Sequence, residues 1–180
     1  MKNKKGFTLV ELMIVIVVIG ILAAMMMFSS TEAINEAKAT KIITDLETLK
    51  KAGMSYYADH YNEFRKNPEQ LINVNQLIEY VGKDHPDLKN YKFTINRNNT
   101  DGAILWFVFY RGDELKNNKR IREKIESRAR THRLFRNTGA VSIKDSINTV
   151  NYELNNAFFE ENIYKADDGE NSNIVILQIR

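Results

Sequence analysis

The sequence predicts an α+β fold in which one long N-terminal α-helix packs, through its outer half, on a small antiparallel β-sheet, with additional short helices. Three observations support this prediction. An apolar run at the N-terminus is followed by a polar stretch with no strong helix breaker before Asn67 and Pro68. Within that stretch apolar residues recur every three or four positions as far as Phe64. Beyond residue 90, short alternating or continuous apolar segments separated by turn residues are typical of strands.

The N-terminus combines lysines, one glycine and a long apolar segment that contains a single acidic residue. The apolar segment, residues 7–28, follows Gly6 directly. At about 1.5 Å per helical residue it spans roughly 33 Å, enough to cross the hydrocarbon core of a bilayer. Glu11 lies about one turn after its start. A carboxylate inside a membrane-spanning helix is costly, so Glu11 is a functional candidate that needs a partner.

One candidate partner for Glu11 is a new α-amino group. Cleavage between Gly6 and Phe7 would create this amine on Phe7, where it would be mostly cationic at neutral pH. Residues four apart are neighbours on a helix, so the amine could neutralise Glu11 within one chain. It could equally neutralise Glu11 of the next chain, which would turn an isolated cost into an assembly contact. The residues alone leave both arrangements open.

The stretch KKGFTLVELMIVIVVIGILAA resembles the N-terminus of prepilins, the precursors of type IV pilins and type II secretion pseudopilins. The resemblance implies cleavage between Gly6 and Phe7 by a prepilin peptidase, N-methylation of Phe7, and docking of Glu11 onto the N-terminus of a neighbouring subunit. It further implies a pilin-like fold and assembly into a helical filament of a pilus or pseudopilus. The implied partners are copies of the chain itself, other pilins or pseudopilins, and an inner-membrane assembly platform.

The resemblance also implies a division of the chain and a location. The leader would be residues 1–6, the membrane-spanning or filament-core half of the helix 7–28, its amphipathic half 29–66, and the globular α+β head 67–180. Lysines before the apolar segment predict a cytoplasmic N-terminus and an extracytoplasmic head on a single-pass inner-membrane protein. Gly20 interrupts the apolar helix and is a candidate for helix flexibility. Family members often place a proline about two turns later, whereas this chain has Phe28 in that region.

The N-terminus is also compatible with a secretory signal or with a plain membrane anchor. A conventional signal could be cut after Ala23 or Ala24, although the apolar run is long for such a signal. Alternatively, the segment could anchor an unrelated extracytoplasmic domain by a single membrane pass.

The head contains further segments with helical or strand patterns. Trp106 lies in the most continuous apolar segment, which is expected to be a central buried strand. We predict a helix at 69–81, strands at 91–95, 103–110 and 140–143, a helix at 145–161, and a last strand at 174–179 that pairs with the central one.

A basic segment at residues 113–137 has a helical apolar stripe flanked by cations. The first interpretation is a solvated helix that contacts acidic patches on the same or an adjacent subunit. An alternative is contact with DNA phosphates, as in a minor pilin for competence and DNA uptake, and a third is binding to anionic membrane surfaces. The candidate anion contacts are Arg120, Arg122, Lys124, Arg128, Arg130 and Arg133.

An acidic turn precedes the last predicted strand. Asp167, Asp168 and Glu170 carry oxygen ligands suited to calcium, and the pseudopilin resemblance implies a calcium site near this strand. The spacing matches no strict calcium loop, and Asp-Gly is common in hairpin turns. Calcium is the only cofactor that the sequence brings into consideration.

Nothing in the sequence indicates an enzyme. The chain has no cysteine, and its three histidines lack zinc-site spacing. It also lacks a glycine-rich phosphate loop and a nucleophile elbow. The net charge of +3 is too small to indicate a class of partner. Many pilins close a C-terminal loop with a disulfide; in this chain strand pairing is expected to hold the C-terminus instead.

Overall fold

The computed structural model describes residues 7–67, 72, 74–82, 88–98, 104–136, 148–150 and 161–179. It divides into two compact units, Met1–Ala37 and Lys38–Arg180. Helix α1 runs from Leu9 to Asp59. Its turns up to Ala37 make up almost all of the described part of the first unit, and its later turns belong to the second unit. The second unit contains the other helices and the sheet. The α+β prediction is confirmed.

Helix α1 has 51 residues, which confirms the long N-terminal helix, but it ends earlier than the sequence predicts. The break lies at His60, after which α2 continues from Tyr61 to Lys66. The His60 ring stacks on Tyr56 at a centroid distance of 4.1 Å. Its Nδ1 lies 3.0 Å from the Tyr56 carbonyl oxygen, which also accepts the His60 backbone N–H. The His60 backbone and ring therefore both lie against the Tyr56 carbonyl at the end of α1, a local arrangement that periodicity does not reveal.

Several short helices and 3-10 turns follow α2 in the described part of the head. The predicted 69–81 helix is present as a 3-10 turn, Val74–Leu77, and helix α3, Ile78–Val81. Gly82 ends α3 with φ +84, a left-handed conformation that glycine adopts without strain. The other helical elements are a 3-10 turn at Leu88–Asn90, α4 at Asp113–Asn117, α5 at Lys119–His132, and a 3-10 turn at Gly169–Asn173.

Within the described residues, five strands form one sheet in the order β3-β5-β2-β1-β4. Four are antiparallel neighbours, which confirms the predicted small antiparallel sheet, and the last strand pairs with the central one as expected. The fifth, β4, is an additional edge strand that pairs parallel to β1. The strands are β1 Tyr91–Asn98, β2 Ile104–Tyr110, β3 Leu134–Phe135, β4 Asn148–Val150 and β5 Val175–Gln178.

The prediction of a helix at 145–161 is wrong for residues Asn148–Val150, which form strand β4. Residues Asn148–Val150 pair with Asn96–Asn98 of β1, so hydrogen bonds to a neighbouring strand replace those of a helical turn. The helical spacing of Ile147, Val150 and Leu154 was a coincidence of a short window. The predicted strand at 140–143 and most of the rest of 145–161 lie outside the described residues.

The amphipathic stripe of α1 forms one side of the core. Leu46 and Leu49 are fully buried, and the sheet supplies Trp106, which contacts the rings of Tyr57 and Phe64 at centroid distances of 5.3 and 4.6 Å. Burial of such large side chains is the main stabilising contribution to the head. A second, smaller cluster includes the Phe107 and Phe135 rings, 6.1 Å apart.

Gly53 of α1 faces the core, whereas its neighbour Met54 faces solvent. Gly53 is buried, and a Cβ added there would lie 3.2 Å from Ile179 Cδ1. Met54 is 53% exposed. The glycine therefore allows α1 to approach the residue that follows β5.

Replacing Gly112 with alanine is expected to destabilise the head by about 1–3 kcal/mol, because the new methyl group overpacks a filled site. Its Cβ would overlap the hydroxyl and ring of Tyr110, which is buried and lies 4.9 Å from the Tyr91 ring. Urea unfolding of the full chain in detergent, followed by the fluorescence of the single tryptophan, measures the effect. Gly20→Ala is the control, because its Cβ meets nothing within 4 Å. Equal midpoints for Gly112→Ala and the parent would contradict the expectation.

The head is expected to lose stability above about pH 10. Burial raises the pKa of the Tyr91 and Tyr164 phenols, and Tyr91 also donates to Asp45 Oδ2 at 2.8 Å. The folded state thus keeps protons that the unfolded chain releases near pH 10, so stability is complete below that pH and falls as the pH rises further. Each tyrosine contributes a slope of up to about 1.4 kcal/mol per pH unit.

Urea unfolding at pH 8, 10 and 11 checks this dependence. Tyr91→Phe should reduce the slope by the contribution of one group. Unfolding free energies that stay constant from pH 10 to 11 in the parent chain would refute the assignment.

Candidate functional site

The apolar segment at the start of the chain is exposed along its whole length. Phe7 and Phe28 are 85% and 80% exposed, and every large apolar side chain between them is at least 47% exposed. Within the described residues, α1 is the one helix long and apolar enough to cross a membrane. Soluble proteins rarely leave so large a continuous apolar surface in water. By its length, composition and exposure, the segment fits a membrane anchor or a helix that packs against other apolar helices.

Thr8 and Glu11 form a reciprocal cap at the start of α1. The Thr8 backbone N–H and Oγ1–H both donate to Glu11 Oε2, at 2.9 and 2.8 Å. The Glu11 backbone N–H donates back to Thr8 Oγ1 at 3.3 Å. This capping box satisfies donors that the first helical turn leaves without partners, and it places a negative charge at the positive end of the helix dipole.

Thr8 is a candidate site residue that the sequence reasoning missed. The signal was present, because a threonine followed three residues later by an acid, directly before an apolar run, is the capping-box pattern. Both Thr8 hydrogen bonds end on Oε2 of Glu11. Within the described part of the chain, Oε1 accepts no hydrogen bond, so the carboxylate has one oxygen left for a further partner.

The other residues predicted for the N-terminal segment are Gly6, Phe7 and Gly20. Gly6 lies outside the described residues. Phe7 precedes the helix and is exposed. Gly20 lies within α1 with open space where a Cβ would be, so no contact inside the chain explains the glycine. Glycine at such a position permits close approach of another helix.

The basic segment forms α5, which packs on α1. Ile121, Ile125 and Ala129 are buried and confirm the predicted apolar stripe. At the flanks, Arg128 donates to Thr40 Oγ1 at 2.8 Å, and His132 Nδ1 lies 3.5 Å from Glu47 Oε1. His132 is therefore part of a helix–helix contact.

Arg122 of α5 connects two other segments. Its Nε donates to the Ala166 carbonyl at 2.9 Å, and Nη1 donates to the Leu115 carbonyl at 2.6 Å. Ala166 belongs to residues 161–173, which we call the C-terminal loop. Glu126, one turn further along α5, accepts the Ala166 backbone N–H at 3.1 Å. Both polar groups of this loop residue's backbone are thus held by α5.

Two ion pairs complete the attachment of the C-terminal loop. Lys119 Nζ lies 2.8 Å from Asp167, and this hydrogen bond raises the pKa of Lys119. Arg136 Nη1 lies 2.9 Å from Asp168, and its Nη2 donates to the Glu161 carbonyl. Strand pairing through β5 and these contacts together hold the C-terminal part of the chain, which has no disulfide.

The cations that were proposed as anion contacts interact with other groups of the chain. Of the six cations proposed as anion contacts, Arg122 and Arg128 serve internal contacts with Ala166, Leu115 and Thr40. The other four also interact within the chain: Arg120, Lys124, Arg130 and Arg133.

The three acidic residues proposed as calcium ligands also differ in their contacts. Asp167 and Asp168 each have a cationic partner, whereas Glu170 lies beyond them at the start of a 3-10 turn. The described residues contain no group of three or more His, Cys, Asp or Glu side chains that could hold a metal ion. The calcium site stays a prediction.

Comparison with known proteins points to one family. The family model described as the prokaryotic N-terminal methylation motif matches residues 1–27. The type IV major pilin protein PilE1 of Neisseria gonorrhoeae is 28% identical over 122 residues, which are 58% of this chain and 57% of that protein. The fimbrial protein EcpB of Eikenella corrodens is 33% identical over 96 residues, 52% of this chain and 60% of that protein. No solved structure matches the chain.

A third relative comes from another organism. The type IV wide pilus major component PilA4 of Thermus thermophilus is 38% identical over 74 residues, 41% of this chain and 56% of that protein. The chain thus spans less than two thirds of the length of these relatives. All three are named as pilus or fimbrial proteins, which are structural subunits and not enzymes. The chain therefore carries the methylation motif at its N-terminus, has a long helix packed on a small sheet, and is similar in sequence to type IV pilins and fimbrial proteins.

Proposed function

We propose that this chain is a structural subunit of a type IV pilus, anchored in the inner membrane as a precursor and then assembled into a helical filament. The observation that supports this function best is the exposed apolar segment, residues 7–28, which begins with the Thr8–Glu11 cap immediately after the Gly6–Phe7 junction. The segment can be surrounded by lipid before assembly and by the same segments of other subunits afterwards.

Processing is the first step of the proposal. A prepilin peptidase cuts between Gly6 and Phe7 on the cytoplasmic side, where the lysines of the leader keep the N-terminus. Methylation of the new Phe7 amine leaves it able to carry a positive charge. The cut leaves Phe7 one residue before Thr8, so the amine lies next to the cap that positions Glu11.

Assembly is the second step, in which an inner-membrane platform extracts the subunit. Lipid tails are as apolar as the side chains of a neighbouring helix, so burial of the segment does not by itself favour the filament over the membrane. An ion pair between Glu11 of one subunit and the Phe7 amine of the next supplies such a preference and sets their axial register. Glu11 Oε1, which Thr8 leaves without a partner, is the oxygen available to that amine.

Replacing Gly6 with glutamate is expected to block leader removal, because a bulky charged side chain cannot enter a cleavage site that accepts glycine. The processed fraction in membranes, measured by the mass of the intact chain, should fall at least about tenfold, the equivalent of 1.4 kcal/mol in the cleavage step. Lys5→Gln is the control and should be processed normally. Cleavage of the Gly6→Glu chain at the parent rate would exclude the proposed junction.

The proposal favours a pilus over a secretion pseudopilus, because the three relatives are named as pilus or fimbrial proteins. A pilus subunit should be recovered in filaments sheared from the cell surface. A DNA-uptake function receives less support, since all six candidate cations interact within the chain.

A further inference from the structure

A polar groove of about 490 Å³ lies on the head, and none of its polar side chains takes part in the contacts between α5 and the C-terminal loop. One wall comes from the segment that joins β2 to α4 and from α4 itself, and the other comes from the C-terminal loop. The volume falls within the usual range of small-molecule sites, about 300–1,000 Å³. Its polar lining side chains are Arg111, Asp113, Lys116, Glu170, Asn171 and Asn173.

The polar side chains of this groove have no partner within the described part of the chain. Among the described residues, none of these six side chains forms a hydrogen bond or an ion pair. The contrast with the preceding part of the same loop is clear, because Asp167 and Asp168 are both paired with cations. Among the described residues, two cations, two carboxylates and two carboxamides therefore line one groove, where a ligand can replace water as their hydrogen-bonding partner.

Both walls are held in place by contacts outside the groove. The buried Tyr164 hydroxyl donates to the Ser172 carbonyl at 2.6 Å, and Ser172 Oγ donates to the Gly169 carbonyl at 2.7 Å. On the opposite wall, the Arg111 backbone N–H donates to the Asn90 carbonyl at 2.9 Å. A groove with fixed walls binds a ligand without a large cost of ordering.

The balance of donors and acceptors limits the class of ligand. Arg111 and Lys116 only donate, Asp113 and Glu170 only accept, and the carboxamides do both. A phosphate or other anion would bind the cationic donors but would be repelled by the carboxylates. A metal cation would bind the carboxylates but would be repelled by Arg111 and Lys116. A sugar hydroxyl both donates and accepts, so a polyhydroxylated ligand can use both kinds of group at once.

We propose that this groove binds an uncharged carbohydrate, an activity separate from filament assembly. The hydroxyl groups of one or two sugar rings bridge the cations of the α4 wall and the carboxylate and amides of the loop wall. A zwitterion such as a free amino acid is the competing ligand, because it also presents both charges to the groove.

Saturation-transfer difference NMR on the full chain tests the proposal. The chain is kept in polyoxyethylene detergent micelles, because glycoside detergents carry sugar headgroups. The probes are methyl glycosides of neutral hexoses and N-acetylhexosamines, with glycine and betaine as zwitterionic probes. The test variants are Lys116→Gln and Glu170→Gln. The matched controls are Lys165→Gln and Glu63→Gln, which replace exposed residues outside the groove.

The expected result is saturation transfer to at least one glycoside, with affinity reduced about tenfold by each groove variant, as for the loss of one hydrogen bond to a charged group. The control variants should keep the parent affinity. The proposal is overturned if no glycoside receives saturation, or if the groove variants bind as the parent does. It is equally overturned if only glycine or betaine binds with sensitivity to the groove variants.

Discussion

The Glu11→Gln chain is expected to insert into the membrane normally and to be cleaved normally, but to yield at least about tenfold fewer filaments, a loss equivalent to 1.4 kcal/mol or more per contact. Glutamine keeps an oxygen that can accept the Thr8 N–H, since glutamine also serves in capping boxes. The substitution thus preserves the cap and removes only the charge that would attract a neighbouring amine. The amount of subunit in sheared filaments, relative to the amount in membranes, is the measurement.

Thr8→Val is the matched variant, because it removes the hydroxyl of the cap and keeps the Glu11 charge. Loss of a capping side chain costs about 0.5–2 kcal/mol of helix stability, so filament yield should fall less than for Glu11→Gln. Normal filament yield from the Glu11→Gln chain would remove Glu11 from the assembly mechanism. A larger loss from Thr8→Val than from Glu11→Gln would assign the role to the cap and not to the charge.

The Arg122→Gln head is expected to lose about 2–4 kcal/mol of unfolding free energy, because two buried carbonyl groups lose a charged donor. These are the carbonyls of Ala166 and Leu115, whose residues are 2% and 0% exposed. Urea unfolding of the full chain in detergent, followed by Trp106 fluorescence, measures the change. Arg65→Gln, which removes an exposed arginine of α2, should shift the midpoint by a much smaller amount. Equal midpoints for the two variants would show that α5 does not anchor the C-terminal loop.

The long helix and the central strands could be predicted because their signals are local. The apolar run and the stripe of α1 repeat over many turns, and β2 is a continuous apolar segment that begins at Ile104, one residue later than expected. The capping box was equally local but was overlooked, although Thr8 and Glu11 have the required spacing.

Other features depend on contacts between distant parts of the chain. Asn148–Val150 become a strand because β1 offers them an edge about 50 residues earlier in the sequence. Arg122 reaches Ala166 across 44 positions, so neither its spacing nor its charge distinguishes it from an anion-binding arginine. Asp167 and Glu47 lie beside Lys119 and His132, as expected for a helix that contacts acidic groups.

Mass spectrometry of the N-terminal peptide, from protein extracted from native membranes, tests the central claim most directly. The account predicts a peptide that begins at Phe7 and is heavier than the plain sequence by one methyl group. A peptide that begins at Met1, or one that begins beyond Ala24, would contradict it and would make the apolar segment an ordinary anchor or a secretory signal.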